Sequence, residues 1–179
     1  MIDRRLFVAF PVSQDIVNIS LRAQGHFPDV SVRWVEPVDL HLTVVAPWTS
    51  KDFEEDKKIF MRVTQCIRPF TIHFGIVEPG PTIIAPRLIW IKGKADGPYA
   101  AALHKQLTRD FDRTHDFKKW VPHITIGRFH KDSSITSPVR TIYEKVDVKE
   151  RISRISLMES HSISQKTTYS MVAESDLKL

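Results

Sequence analysis

Leu40-His41-Leu42-Thr43-Val44-Val45-Ala46 and Val121-Pro122-His123-Ile124-Thr125-Ile126 are the two stretches around which the rest of the chain is arranged. Both are apolar runs with the character of strands. Side chains on a strand alternate between its faces. His41 and Thr43 therefore share one face, and Leu42 and Val44 the other; His123 and Thr125 divide from Ile124 and Ile126 in the same way. Each strand shows an imidazole and a hydroxyl to a groove and puts its aliphatics into a core. The histidines are 82 residues apart (123 − 41), and Arg5-Leu6 and Arg87-Leu88 keep that offset, as do Leu21 and Leu103. Landmarks in register point to an internal duplication. Each half reads Arg-Leu at the opening of a strand, then a helix, then His-x-Thr.

At 179 residues the chain fits one domain or two small lobes sharing a core. Hydrophobic residues make up 42% and charged residues 26%, which excludes a disordered chain. The net charge of +5 favours polyanionic partners such as RNA. The single cysteine, Cys66, excludes an intramolecular disulfide and a Cys-rich metal site. It is expected as a small core residue in the helix before Pro69. The apolar run that follows Asp3, Arg4 and Arg5 is too short for a signal peptide or a membrane span. A reducing, cytoplasmic setting is the expectation.

Turn and periodicity signals divide the rest. Leu6–Phe10 reads as a buried strand. Ser13 caps a helix to about Gln24, with Ile16, Val17, Ser20, Leu21 and Gln24 on one side. A short strand over Val32–Val35 and a turn at Glu36–Asp39 lead into the first motif strand, which Pro47 stops. Ser50 or Asp52 caps a second helix to about Ile67. Phe70–Val77 alternates as a strand, Glu78-Pro79-Gly80-Pro81 is a turn, and Leu88–Lys92 is another strand. Pro98 opens an amphipathic helix marked by Tyr99, Leu103, Leu107 and Phe111. A loop at Thr114–Lys119 precedes the second motif strand. Ser137-Pro138 opens a short helix, and Val146–Met158 and Thr167–Ala173 supply one or two closing strands.

Imidazole is the natural proton-transfer group near neutral pH. Two imidazoles across one groove can serve as base and acid on opposite sides of a scissile bond, which suits phosphoryl transfer to water from a poor leaving group. Thr43 and Thr125 can hold the non-bridging oxygens. Metal binding by the two histidines would want a third ligand, and neither motif strand carries a carboxylate. His26, His73, His104, His115, His130 and His161 show no paired spacing and are assigned to surfaces or loops. Arg128 falls on the face opposite His123 on a regular strand. It reaches the groove only through a twist or bulge, for which Gly127 is the place; it reads either as an exposed strand-end cation or as a phosphate clamp. Of the four tryptophans, Trp48 is expected to line the groove and stack on a base.

Arg5–Ala9, Val32–Pro37 leading into His41-Leu42-Thr43-Val44, Pro86–Trp90 and Pro122–Arg128 together resemble the 2H phosphoesterase superfamily. Within it the closest look is to the 2′-5′ RNA ligase-like proteins, the RNA 2′,3′-cyclic phosphodiesterases. The resemblance covers roughly residues 4–130 in order. It implies an α+β fold of two βαββ-like lobes related by pseudo-twofold symmetry, with antiparallel sheets forming a central cleft and helices outside. One bilobal domain then spans residues 1–179. It also implies hydrolysis of a 2′,3′-cyclic phosphate to a 2′-phosphate, with His41 as general acid and His123 as general base. Arg128 matches the family's phosphate-binding arginine after the second motif. Members typically follow the first motif with Leu-Lys-Phe-Leu-Gly where this chain has Val44-Val45-Ala46-Pro47-Trp48, which leaves Trp48 as the substitute aromatic.

The expected partner is an RNA end or nucleotide carrying a cyclic phosphate. No cofactor, metal, membrane or obligate protein partner is expected, and the chain is expected to act as a monomer, with reversible 2′-5′ RNA ligation as a secondary reaction. The competing readings are a phosphodiesterase for a small non-RNA cyclic phosphate or a 2′-5′ oligonucleotide, and a non-catalytic RNA or nucleotide sensor. Arg33, Arg62, Arg87, Arg113, Lys118, Lys119 and Arg128 are the basic residues whose grouping would favour RNA.

Overall fold

A computed structural model describes residues 4–113, 120–130, 142–163 and 166–178. The helix expected to open at Ser137-Pro138, the loop at Thr114–Lys119, His115, Lys118 and Lys119 lie outside the described residues. In chain order the elements are β1 (Arg4–Pro11), α1 (Gln14–His26), β2 (Val32–Trp34), a 3₁₀ turn (Pro37–Asp39), β3 (His41–Ser50), α2 (Phe53–Thr64), β4 (Phe70–Gly80), β5 (Leu88–Ala95), α3 (Tyr99–Asp110), β6 (His123–Phe129), β7 (Glu144–Ile152), β8 (Arg154–Ile163) and β9 (Lys166–Asp176).

The strands form one antiparallel system in the order β7-β4-β5-β6-β3-β1-β8-β9, with β2 paired to β6. That order is symmetric about the β6/β3 seam: β5 answers β1, β4 answers β8 and β7 answers β9. Two lobes related by a pseudo-twofold axis follow, in an α+β architecture. They interleave in sequence, because the outer strands β8 and β9 of the first lobe come from the end of the chain. The chain therefore closes with three strands where one or two were expected.

The seam is narrow. β3 and β6 pair only through Leu42 and Ile124. Beyond that point β2 takes the place beside β6, pairing Val32 with Phe129, Arg33 with Arg128 and Trp34 with Gly127. The Val35 N–H continues this ladder by donating to the Ile126 carbonyl at 2.9 Å. The wedge between the diverging motif strands is the cleft.

Apolar alternation sets the core. Leu42, Val44, Ile124 and Ile126 are buried with Leu6, Val8, Phe10, Ile89 and Ile91. Against them pack Ile16, Ile19 and Ala23 of α1 and Ala100, Leu103 and Leu107 of α3. The equivalent helix positions are 84 residues apart (100 − 16, 103 − 19, 107 − 23). Equivalent pairs in β1 and β5 are 81 apart: Phe10–Leu42 answers Ile91–Ile124, and Pro11–His41 answers Lys92–His123. Only the His-x-Thr echo keeps the 82-residue offset. Leu21 is exposed where Leu103 is buried, so that echo and the Arg-Leu echo are out of structural register.

Other boundaries move for local reasons. Pro47 does not stop β3. The β1–β3 register shifts on either side of Val8, against Thr43–Trp48 of β3, and these irregularities let the strand run through the proline. Asp52 caps α2 by accepting from the Glu55 N–H at 3.1 Å. Ser13 sits at the N-cap of α1, but its hydroxyl donates to the buried Glu150 carboxylate of β7 instead of capping. Cys66 lies just past the end of α2 and is exposed, not in the core. Among the described residues, no helix is long and apolar enough to cross a membrane.

Candidate active site

His41 opens β3 and His123 opens β6. In an antiparallel pair centred on Leu42 and Ile124, His41 lies across from Thr125 and Thr43 across from His123. All four line one cleft of about 340 Å³, together with Arg33, Trp34, Val35, Glu36, Asp39, Arg128, Thr167 and Tyr169.

Each imidazole is pinned in the same way. His41 Nδ1 lies 2.7 Å from the Asp39 carbonyl, and His123 Nδ1 lies 2.8 Å from the Val121 carbonyl. A carbonyl only accepts, so Nδ1 carries the hydrogen and donates it. Nε2 is then the basic nitrogen left for the cleft. In both motifs the partner is the residue two before the histidine, at the strand's entry.

Burial depresses both imidazoles below the usual histidine range, because a desolvated cation is disfavoured. The backbone bond opposes this in each case. The Arg128 guanidinium pushes both further down, and Asp39 favours the protonated form at His41 alone.

Arg128 therefore acts on both histidines, and the bulge is the reason. Against β5, Trp90 pairs with Thr125 and Ile89 with Gly127, so Ile126 is an extra residue on β6. Ile126 and Gly127 are consecutively buried, and Arg128 regains the face of His123 and Thr125. Gly127 is where the backbone needs room: a Cβ there would sit 3.2 Å from Trp34 Cε3.

Trp48 is not in the cleft. It is buried, stacks on Phe111 with ring centroids 4.5 Å apart, and reaches Asp56 through Nε1 at 3.3 Å. β3 continues through Pro47, and Trp48, an even number of residues from Leu42 and Val44, falls on their core face beside α2 and α3. Its expected stacking role is thereby corrected. The cleft aromatic beside the first motif is Tyr169 of β9, with its ring centroid 5.1 Å from that of His41 and nearly perpendicular. Phe7 backs His41 from β1 at 5.0 Å, and Trp90 backs His123 from β5 at 4.8 Å.

His104 is neither surface nor loop. Its Nδ1 donates from α3 to the Val44 carbonyl at 2.7 Å, and Trp120, stacked on it, donates from Nε1 to the Thr43 carbonyl at 3.2 Å. This pair holds the backbone of β3 where it leaves β6. Of the basic residues singled out, Arg33 and Arg128 meet in the cleft; Arg62 and Arg87 are exposed elsewhere.

Tyr169 and Thr167 also line the cleft, and no motif in the sequence marks them. Alternation in β9 puts them on one face, but nothing in the order of residues tells which strand the last one lies near. Among the described residues, no cluster of three or more His, Cys, Asp and Glu side chains is arranged to hold a metal ion.

A cleft with two inward imidazoles, two threonines and an arginine between symmetric lobes defines a two-histidine phosphoesterase class. The family model of the 2′-5′ RNA ligase superfamily matches residues 19–163, and the chain belongs to that family. It is 28% identical over 156 residues to the RNA 2′,3′-cyclic phosphodiesterase of Methanocaldococcus jannaschii, covering 84% of this chain and 80% of the relative. It is 32% identical over 143 residues to the enzyme of the same name from Archaeoglobus fulgidus, covering 76% and 79%. Its fold superposes on TT0787 of Thermus thermophilus with a TM-score of 0.78 at 19% identity, over 97% of each chain. For E. coli LigT complexed with NADP+ the TM-score is 0.74 at 18% identity, over 100% of each chain.

Proposed function

We propose that this chain hydrolyses 2′,3′-cyclic phosphates at RNA ends to 2′-phosphates, with His41 as general acid and His123 as general base. The observation that carries the reading is the matched pinning of the two imidazoles, which leaves one Nε2 from each lobe for a single cleft. His123 Nε2 takes a proton from water as the water oxygen bonds to phosphorus. The P–O3′ bond breaks, and a proton on His41 Nε2 passes to the departing O3′. Thr43, Thr125 and Arg128 hold the non-bridging oxygens, where charge concentrates. Asp39, acting on His41 alone, supports that residue as the proton carrier. With an RNA 5′-hydroxyl in place of water, the same step is 2′-5′ ligation: the P–O5′ bond forms, the P–O3′ bond breaks, and the proton from the 5′-hydroxyl passes to His123 as His41 protonates O3′. Both relatives named above support cyclic phosphodiesterase chemistry, and a cytoplasmic setting is proposed with it.

The test is hydrolysis of a nucleoside 2′,3′-cyclic phosphate, and of a short RNA with that end, in EDTA, with the product identified by chromatography. The expected product is the 2′-phosphate from both. A 3′-phosphate product reverses the leaving oxygen. Activity lost in EDTA and restored by zinc or manganese refutes unassisted two-histidine chemistry, and no turnover on either substrate refutes the activity.

A further inference from the structure

Two arginines face each other at one end of the cleft. Arg33 of β2 is paired directly opposite Arg128 of β6, both are exposed, and both line the cavity. Residues directly opposite on an antiparallel ladder share a face, so both side chains leave the sheet on the cleft side. A guanidinium fork matches two anionic oxygens, which suits each of the two positions to a phosphate.

The two cations are not equivalent. Arg128 lies near enough to both imidazoles to depress them, which commits it to the reacting phosphate. Arg33 is one strand further out, about 4.8 Å across the ladder, a spacing of the same order as that between successive phosphates on one RNA strand.

The opposite end of the cleft differs. Beyond His41 and Tyr169 the surface continues into a second cavity of about 180 Å³, lined by Val38, Met158, Met171, Asp39 and Glu174 among others, with no lysine or arginine. Carboxylates line both cavities, Glu36 and Asp39 the first and Asp39 and Glu174 the second, but the arginines lie only in the first, so a polyanionic strand leaving the reaction centre finds cations on the β2 side.

We propose that Arg33 forms a second phosphate subsite, binding the phosphate on the 5′ oxygen of the nucleoside whose 2′,3′ end reacts. The inference rests on the cyclic phosphodiesterase activity proposed above. It makes the protein selective for ends that continue into a strand. The phosphate recognised has two sources, an internucleotide phosphate of RNA and the 5′-phosphate of a free nucleotide.

The test compares three substrates: a nucleoside 2′,3′-cyclic phosphate, its 5′-phosphorylated form, and a dinucleotide ending in the same cyclic phosphate. The intact protein is expected to prefer both 5′-substituted substrates, by roughly tenfold in kcat/KM for one charge-assisted phosphate contact. In Arg33→Ala that ratio falls towards one. Arg33→Lys restores part of it, and the salt dependence of log KM for the dinucleotide drops by about 0.7 in Arg33→Ala. A dinucleotide preferred over the 5′-phosphorylated nucleotide assigns the subsite to RNA, and equal preference assigns it to the phosphate alone. Turnover of all three with the ratio unchanged in Arg33→Ala overturns the subsite and leaves the activity standing. No turnover of any by the intact protein removes both.

Discussion

The two halves of the cleft present the same nitrogen by the same device, yet their surroundings differ. His41 and His123 each open a strand, and each fixes Nδ1 on the carbonyl two residues back. Around that shared frame the walls diverge. His41 is enclosed by Phe7 and Tyr169, with Asp39 favouring its proton. His123 rests on Trp90, on the strand whose bulge delivers Arg128. Pseudo-symmetry places two matching imidazoles in one cleft. In the mechanism we propose, the acid and base roles come from what the symmetry does not repeat: a carboxylate at one site, a guanidinium at one end of the cleft, and an aromatic from β9.

Removing either imidazole tests the frame and then the asymmetry. His41→Ala and His123→Ala are each expected to lower kcat by about 10²–10⁴-fold while keeping a cooperative thermal transition. The double variant should be scarcely worse than either single one, because the two act as a unit. A phosphodiester with a phenolate leaving group needs no proton on departure, so on that substrate His41→Ala should lose far less than His123→Ala. Equal losses would mean the two roles are not divided in this way, and loss of the thermal transition would make that histidine structural.

Arg128 is the next largest effect. Arg128→Ala is expected to cost roughly tenfold to a hundredfold in kcat/KM, the range of a charge-assisted hydrogen bond to phosphate. Its pH signature is more telling. In the free protein both imidazoles titrate below about 6.5, so the bell-shaped kcat/KM profile should fall on its alkaline side below ordinary imidazole pH. Taking away a positive charge makes protonation easier, so Arg128→Ala should move both limbs to higher pH. Bound phosphate acts in the same direction, which displaces the kcat profile alkaline of kcat/KM in the intact protein. A variant with raised KM and an unmoved profile would show that the guanidinium touches substrate without influencing the histidines.

How far the order of residues reveals this site follows from strand physics. His41, Thr43, His123 and Thr125 are legible because alternation on a strand is strict and each motif is local. Arg128 is legible only as a conditional, since parity sends it to the wrong face and the bulge that returns it depends on how β5 pairs with β6. Trp48 fails for another reason: past Pro47 it reads as a strand end at the groove, but β3 runs on through the proline, and the alternation that buries Leu42 and Val44 buries Trp48 as well. Tyr169 and the interleaving of the lobes are long-range pairings, and no local pattern encodes which edge a closing strand joins. The 82-residue echoes of Arg-Leu and Leu21/Leu103 show the hazard of counting offsets, because the equivalent positions are 81 and 84 apart in those elements.

The smallest effect on rate isolates one half of the cleft. Gly80, at the end of β4, leaves room for the Trp90 ring: a Cβ there would lie 2.4 Å from Trp90 Cε2 and 2.7 Å from Cδ2. Those atoms belong to a buried indole in contact with His123, so the ring cannot simply swing into solvent. Gly80→Ala must displace Trp90 towards the imidazole or open β4 from β5. Overpacking of this kind costs about 1–3 kcal/mol of stability, read as a lower thermal midpoint, and an activity loss of a few-fold follows from a His123 held less firmly. NMR titration of the two imidazoles distinguishes a local from a global cause. The His123 resonances should shift and their midpoint change, while His41, against Phe7 and Tyr169 in the other lobe, keeps its own. If both histidines move together, the halves are coupled, through the Leu42–Ile124 pair, the β2–β6 ladder or the Arg128 that acts on both imidazoles, and neither motif is an independent half-site.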